Sequence, residues 1–166
     1  MRTPEALEGL DGLVIPGGES TTMSKLIESA GLEPALREHH AAGRPILGTC
    51  AGLIVCDDEH LDFLDITARR NAFGRQLQSF EANLVLTGAG EEPLRAVFIR
   101  APWVERVGDG VEVLAAWEGH PVAIRDGSVL ASAFHPELTD DPRFHAIFMA
   151  MITKAQQHDE ERAATG

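Results

Sequence analysis

Cysteine is scarce in this chain. Only Cys50 and Cys56 occur, with no CxxC pair and no His/Cys spacing of the kind that holds a metal. That excludes a disulfide framework and a structural zinc site, and it points to a reducing compartment. Basic residues are outnumbered, 14 Lys and Arg against 26 Asp and Glu, for a net charge of −12. Nucleic acid and anionic membrane surfaces would repel such a chain, so the acidity is read as serving solubility. No apolar h-region follows Met1-Arg2-Thr3-Pro4-Glu5, and no apolar run approaches membrane-spanning length. The cytoplasm is therefore the expected location. Internal repeats, low-complexity tracts and linkers are also missing, so the 166 residues read as one domain long enough to bury a core.

The stretch Gly48-Thr49-Cys50-Ala51-Gly52 stands at the centre of what is there. An apolar run through Ile46 and Leu47 precedes it and Leu53 to Val55 follows, the pattern of a buried strand, a sharp turn and a helix start. Glycines flanking the cysteine suit a nucleophile elbow, where small neighbours let the backbone bend and lift one side chain into a cleft. A thiol at a helix N-terminus is drawn toward the thiolate, the reactive form, and the unpaired Ala51 amide would point at an oxyanion formed on an attacked carbon. An inert buried cysteine is the equally weighted alternative for the pentapeptide alone.

Leu10 to Ile15 reads as a strand stopped by Pro16-Gly17-Gly18, with Ser20, Thr21 and Thr22 as candidate caps for a helix that Gly31 ends. Ligands of α/β proteins sit at such glycine turns between strand and helix, which makes Gly17-Gly18-Glu19-Ser20 a second candidate site. A helix is expected from Pro34 to Ala42, with adjacent His39 and His40 as surface residues near its end. The helix after Cys50 is expected to stop near Asp57-Asp58-Glu59. Alternation predicts strands over Phe63 to Arg69 and Phe80 to Leu86, and Leu94 to Ile99 reads as another that ends at Arg100-Ala101-Pro102. Val111 to Trp117, Val122 to Arg125 and Val129 to Phe134 follow as an antiparallel set, with Asp126-Gly127 as a hairpin turn. His135-Pro136-Glu137 lies just past the last strand, since proline is awkward inside one. Residues 135 and 137 are expected to face the same way by strand alternation. A last helix starts after Thr139-Asp140-Asp141-Pro142 and buries Phe144, Ile147, Phe148, Met151 and Ile152, and a frayed polar tail begins at His158.

A cysteine nucleophile needs a base to take its proton, and the base needs a partner that fixes its tautomer. His135 and Glu137 are the candidates for those two roles. Together with Pro16-Gly17-Gly18-Glu19-Ser20-Thr21-Thr22-Met23, Arg70-Asn71-Ala72-Phe73-Gly74-Arg75-Gln76 and Phe98-Ile99-Arg100-Ala101-Pro102, they make the chain resemble the glutaminase subunits of pyridoxal phosphate synthases, class I Cys-His-Glu glutamine amidotransferases. The resemblance implies an α/β fold, a three-layer Rossmann-like (flavodoxin-like) sheet with an antiparallel extension, over residues 1–157, followed by the tail at 158–166. It implies a catalytic set of Cys50, His135 and Glu137, and an oxyanion hole from the amides of Gly18 and Ala51. Gly18, Glu19, Ser20, Arg70, Ile99 and Arg100 would bind L-glutamine, the arginines suiting its α-carboxylate and Glu19 its α-ammonium. Implied too are a (β/α)8-barrel synthase subunit as partner, activation on docking through the Gly17-Gly18 peptide, and no metal or cofactor.

Two departures from the resembled family bear on these expectations. Its members begin with an additional βαβ-sized piece before the segment matching residues 2–12, and the segment from Leu53 to Asp65 is several residues shorter here. The first predicts that the strand through Leu13-Val14-Ile15 lacks a neighbour and exposes apolar surface. Alternatives to an active glutaminase are an impaired subunit acting only as an interaction module, another class I amidotransferase, or a peptidase using the same elbow.

Overall fold

A computed structural model describes residues 3–73 and 79–165 of the chain. Residues 74–76 of the run that began at Arg70 lie outside the described residues. In order, the elements are β1 (Leu13–Ile15), α1 (Ser20–Ser29), α2 (Glu33–Ala41), β2 (Ile46–Thr49), α3 (Ala51–Val55), β3 (Ile66–Arg69), β4 (Ser79–Leu84), β5 (Leu94–Ile99), β6 (Trp103–Val107), β7 (Glu112–Trp117), β8 (His120–Asp126), β9 (Val129–Ser132) and α4 (Arg143–Thr165), with 3-10 turns at Pro4–Leu7 and Pro136–Leu138.

Five strands form the main sheet in the order β1-β2-β9-β8-β7. β1, β2 and β9 run parallel, as the helical connection from β1 to β2 requires, while β8 and β7 add an antiparallel extension. Tight turns make that extension. Glu118 and Gly119 both have positive φ, 49° and 80°, and Gly127 after Asp126 has φ 52°. β3 pairs with β6 and β4 with β5, each antiparallel.

Burial on both faces explains why the central strands are continuous apolar runs rather than alternating ones. Ile46 of β2 with Val129 and Ala131 of β9 face a core completed by Ile27 of α1, Leu36 of α2 and Leu53 and Val55 of α3. Leu47 of β2 and Leu130 of β9 face the opposite core, closed by Phe144 and Phe148 of α4 and by Ala82, Leu84, Leu94 and Phe98 of the β4–β5 pair. The sheet is thus the middle of three layers, the α/β arrangement expected. β1 is at the edge, paired on one side only, and its Val14 is 50% exposed.

Several local expectations are corrected. The cap of α1 is Glu19, whose carboxylate accepts from the amides of Thr21 and Thr22, and the three following hydroxyl residues lie inside the helix. His39 is buried at 4% exposure, because α2 lays that face on the first core. Phe63 and Leu64 are both buried, so only Ile66–Arg69 forms a strand there. α3 stops at Val55, short of the acidic run. β6 had no clear signal: of its residues only Val104 is fully buried, and Glu105 and Arg106 interrupt the apolar pattern. His135-Pro136-Glu137 does lie past the end of β9, as expected, with residues 136–138 in a 3-10 turn. α4 continues through the expected tail to Thr165. Among the described residues no helix is long and apolar enough to cross a membrane.

Candidate active site

Cys50 occupies a strained turn between β2 and α3, with φ 51° and ψ −103°, a region L residues enter only under constraint. The constraint is visible in the flanking glycines. A Cβ on Gly52 would lie 2.0 Å from the Ile15 carbonyl oxygen, and one on Gly48 would lie 2.8 Å from that of Gly52. Only hydrogen at both positions lets the elbow press against β1. The Cys50 amide donates to the Ser132 carbonyl at 2.7 Å, which ties the bend to the end of β9. Its Sγ lies 3.8 Å from the Ile99 carbonyl oxygen.

Three residues beyond β9's last pairing, the chain delivers His135, whose amide donates to the Val97 carbonyl of β5 at 2.8 Å. Nδ1 of the ring is 2.7 Å from Glu137 Oε1, the 3-10 turn achieving what strand alternation was expected to do. The ring also meets Cys50. Interaction with the Cys50 sulfur, which as thiolate favours the imidazolium, is opposed by burial and helped by Glu137, and raises the His135 pKa to about 9. Gly17 packs against the same ring, since a Cβ there would lie 2.5 Å from His135 Cε1 and 3.5 Å from Cys50 Cβ. Cys50, His135, Glu137 and the diglycine turn therefore meet at one point, as the sequence led one to expect.

That point opens into a pocket of about 510 Å³. Gly18, Glu19, Ser20, Cys50, Ala51, Arg70, Ile99, Arg100 and His135 line it, and Glu137 stands behind His135. Gly18 has φ 149°, so its peptide takes an orientation that favours glycine. The Glu19 carboxylate is engaged by the Thr22 hydroxyl and amide, both at 2.7 Å, and by the Thr21 amide at 3.0 Å. The Thr22 hydroxyl, then these amides, hold its pKa down to about 2. Arg70 donates from Nη1 to Thr21 Oγ1 at 2.7 Å. Arg100 leaves β5 with φ 45° and, among the described residues, has no carboxylate partner.

Ile54, Asn71 and Pro102 also line the pocket and were not singled out beforehand. Asn71 did carry a signal, because asparagine tolerates positive φ and here has φ 48°. Cys50, Asn71 and Arg100 are three of the five described non-glycine residues with positive φ, so backbone strain is concentrated around this cavity. Among the described residues no cluster of His, Cys, Asp or Glu could hold a metal ion.

The SNO glutamine amidotransferase family matches residues 1–154. Pyridoxal 5'-phosphate synthase subunit PdxT of Mycobacteroides abscessus is 55% identical over 161 residues, covering 92% of this chain and 83% of that protein. The protein of the same name from Halorubrum lacusprofundi is 57% identical over 142 residues, 81% of this chain and 72% of its own length. A crystal structure of a glutamine amidotransferase superposes with a TM-score of 0.86 at 45% identity, covering 92% of this chain and 85% of that one. On sequence and fold together, the chain belongs to the SNO glutamine amidotransferase family.

Proposed function

We propose that the chain hydrolyses L-glutamine to L-glutamate and ammonia through a thioester on Cys50, and supplies the ammonia to a synthase subunit that makes pyridoxal 5'-phosphate. One observation carries the reading: a strained cysteine meets a histidine already held 2.7 Å from a glutamate, at the mouth of a 510 Å³ pocket flanked by two arginines. Glutamine has an amide at one end and an α-carboxylate and α-ammonium at the other. The pocket offers groups for both.

Cys50 Sγ attacks the side-chain amide carbon, forming a C–S bond while the carbonyl electrons move onto oxygen. The amides of Ala51, unpaired in the first turn of α3, and Gly18 receive that oxyanion. His135, protonated below its pKa of about 9, gives its proton to the departing nitrogen as the C–N bond breaks and ammonia leaves. The now neutral imidazole takes a proton from water, whose oxygen adds to the thioester carbon. Collapse breaks the C–S bond, releases glutamate and restores the pair. Glu137 holds Nδ1 so that Nε2 faces the reaction. Arg70 and Arg100 bind the α-carboxylate, and the α-ammonium sits by Glu19, whose oxygens retain lone pairs beyond those the helix cap uses. Ser20 and the Ile99 carbonyl complete the polar lining.

The partner is a (β/α)8-barrel synthase subunit, and the setting is the cytoplasm. No step calls for a metal or cofactor. Glutamate release by the chain with its synthase partner tests the reading. Cys50→Ala and His135→Ala abolish it if the thiol mechanism holds, and parental turnover in either variant refutes it.

A further inference from the structure

Behind Arg70 lies a set of contacts that the reaction steps do not use. Asp57 is buried, its side chain 1% exposed, just after the helix that carries the nucleophile. Its Oδ1 accepts from the Glu59 amide at 3.1 Å and its Oδ2 from the Ala68 amide at 3.3 Å, which fixes the carboxylate against β3. Oδ1 also faces His60 Nδ1 at 2.6 Å. A carboxylate accepts, so Nδ1 carries the hydrogen and Nε2 presents a lone pair. Arg70 Nη2 lies 3.4 Å from that Nε2, while Nη1 of the same guanidinium reaches Thr21 Oγ1 at 2.7 Å.

We propose that His60, oriented by buried Asp57, is a positioning residue that aims the Arg70 guanidinium into the glutamine pocket. The inference rests on the reading of Arg70 as a ligand of the α-carboxylate. Arg70 is an exposed, flexible side chain that would otherwise lose rotamer freedom on binding substrate. Two tethers, one from α1 through Thr21 and one from the core through Asp57 and His60, hold it in place beforehand. Each tether takes one terminal nitrogen, and an arginine retains further N–H groups for a carboxylate. Information thus passes from a buried carboxylate to a substrate contact without His60 touching substrate.

Two substitutions separate positioning from simple structural support. In His60→Asn the amide nitrogen takes the place of Nδ1 and keeps the bond to Asp57, but the side chain ends short of Arg70. In His60→Gln the amide oxygen reaches the place of Nε2 and accepts from Arg70. Glutamate release from the complete complex is measured over a range of L-glutamine, with Arg70→Ala alongside. Arg70→Ala is expected to raise KM roughly tenfold or more, the loss of a charged hydrogen bond. His60→Asn is expected to raise KM about threefold with kcat held, and His60→Gln to return it toward the parent value. A raised KM in Arg70→Ala with a parental KM in His60→Asn overturns the inference and leaves the role of Arg70 standing. A parental KM in Arg70→Ala removes that role and the inference with it. Should His60→Asn unfold the chain, Thr21→Val, which cuts the other tether without touching Asp57, carries the test: parental KM there counts against tethered aiming and a raised KM supports it.

Discussion

Gly17→Ala is the sharpest probe of the catalytic geometry, because the residue is small for a reason that can be measured. Its φ is not positive, so the substitution tests contact rather than backbone strain. A methyl group there would sit 2.5 Å from His135 Cε1 and 3.2 Å from Nδ1. Carbon atoms pack at about 3.5 Å or more, so the ring or the loop must yield by about 1 Å. Either movement separates the imidazole from Cys50 or from Glu137, and a displacement of about 1 Å costs on the order of 100-fold in rate. Steady-state glutamate release should show kcat reduced by about that factor, with KM changed far less. The His135 titration midpoint, followed by NMR, should fall from about 9 toward the ordinary 6.5 as the contact with Cys50 loosens. Gly110→Ala serves as control, since a Cβ there meets nothing within 4 Å. A kcat for Gly17→Ala within twofold of the parent, with the histidine midpoint unmoved, would refute the argument.

Protonated His135 is the proposed acid, so kcat should decline as pH rises through about 9, and Glu137→Gln, which removes one of the supports of the imidazolium, should move that limb lower in a pH–rate profile. Because the folded pKa lies above the unfolded value of 6.5, the stability this group contributes is full below pH 6.5 and is lost as pH rises to about 9, which pH-dependent denaturant melts would register. Burial, with Asp57 adding to it, pushes the Cys56 thiol up to about 12, so iodoacetamide at pH 8 should modify Cys50 alone, as peptide mapping will tell. Gly52→Ala should cost about 2 kcal/mol or more, since the methyl would collide with the Ile15 backbone rather than a movable side chain. Phe134→Ala, which empties a fully buried site between Phe98 and Phe144, should cost about 3 to 5 kcal/mol in denaturant unfolding.

The residues that were legible in advance are those whose chemistry is local. Gly48 and Gly52 around Cys50 announce an elbow because nothing larger allows the bend, and the structure gives the reason as backbone contact with Ile15 and Gly52 itself. The hairpin at Asp126-Gly127 follows from turn chemistry in the same way. β6 was not legible, since its strand character comes from pairing with β3 and not from its own alternation. Nor was the burial of His39, which depends on how α2 lies on the core, or the cap of α1, where a glutamate took a position that three neighbouring hydroxyl residues could also have filled. The relay from Asp57 to Arg70 joins α3, β3 and α1 through side chains, and sequence spacing holds no record of it.

Thr49 and Ser132 stand opposite one another in the parallel ladder of β2 and β9, with Cys50 one residue and His135 three residues past that rung. Hydrogen-bonded backbones hold those two strand ends about 4.8 Å apart, and the Val97 carbonyl of β5 then fixes His135 beyond them. Loops between the two strands can lengthen, shorten or change partner while that rung and the β5 anchor stay in place, so divergence elsewhere in the intervening chain leaves the approach of the two side chains unaltered.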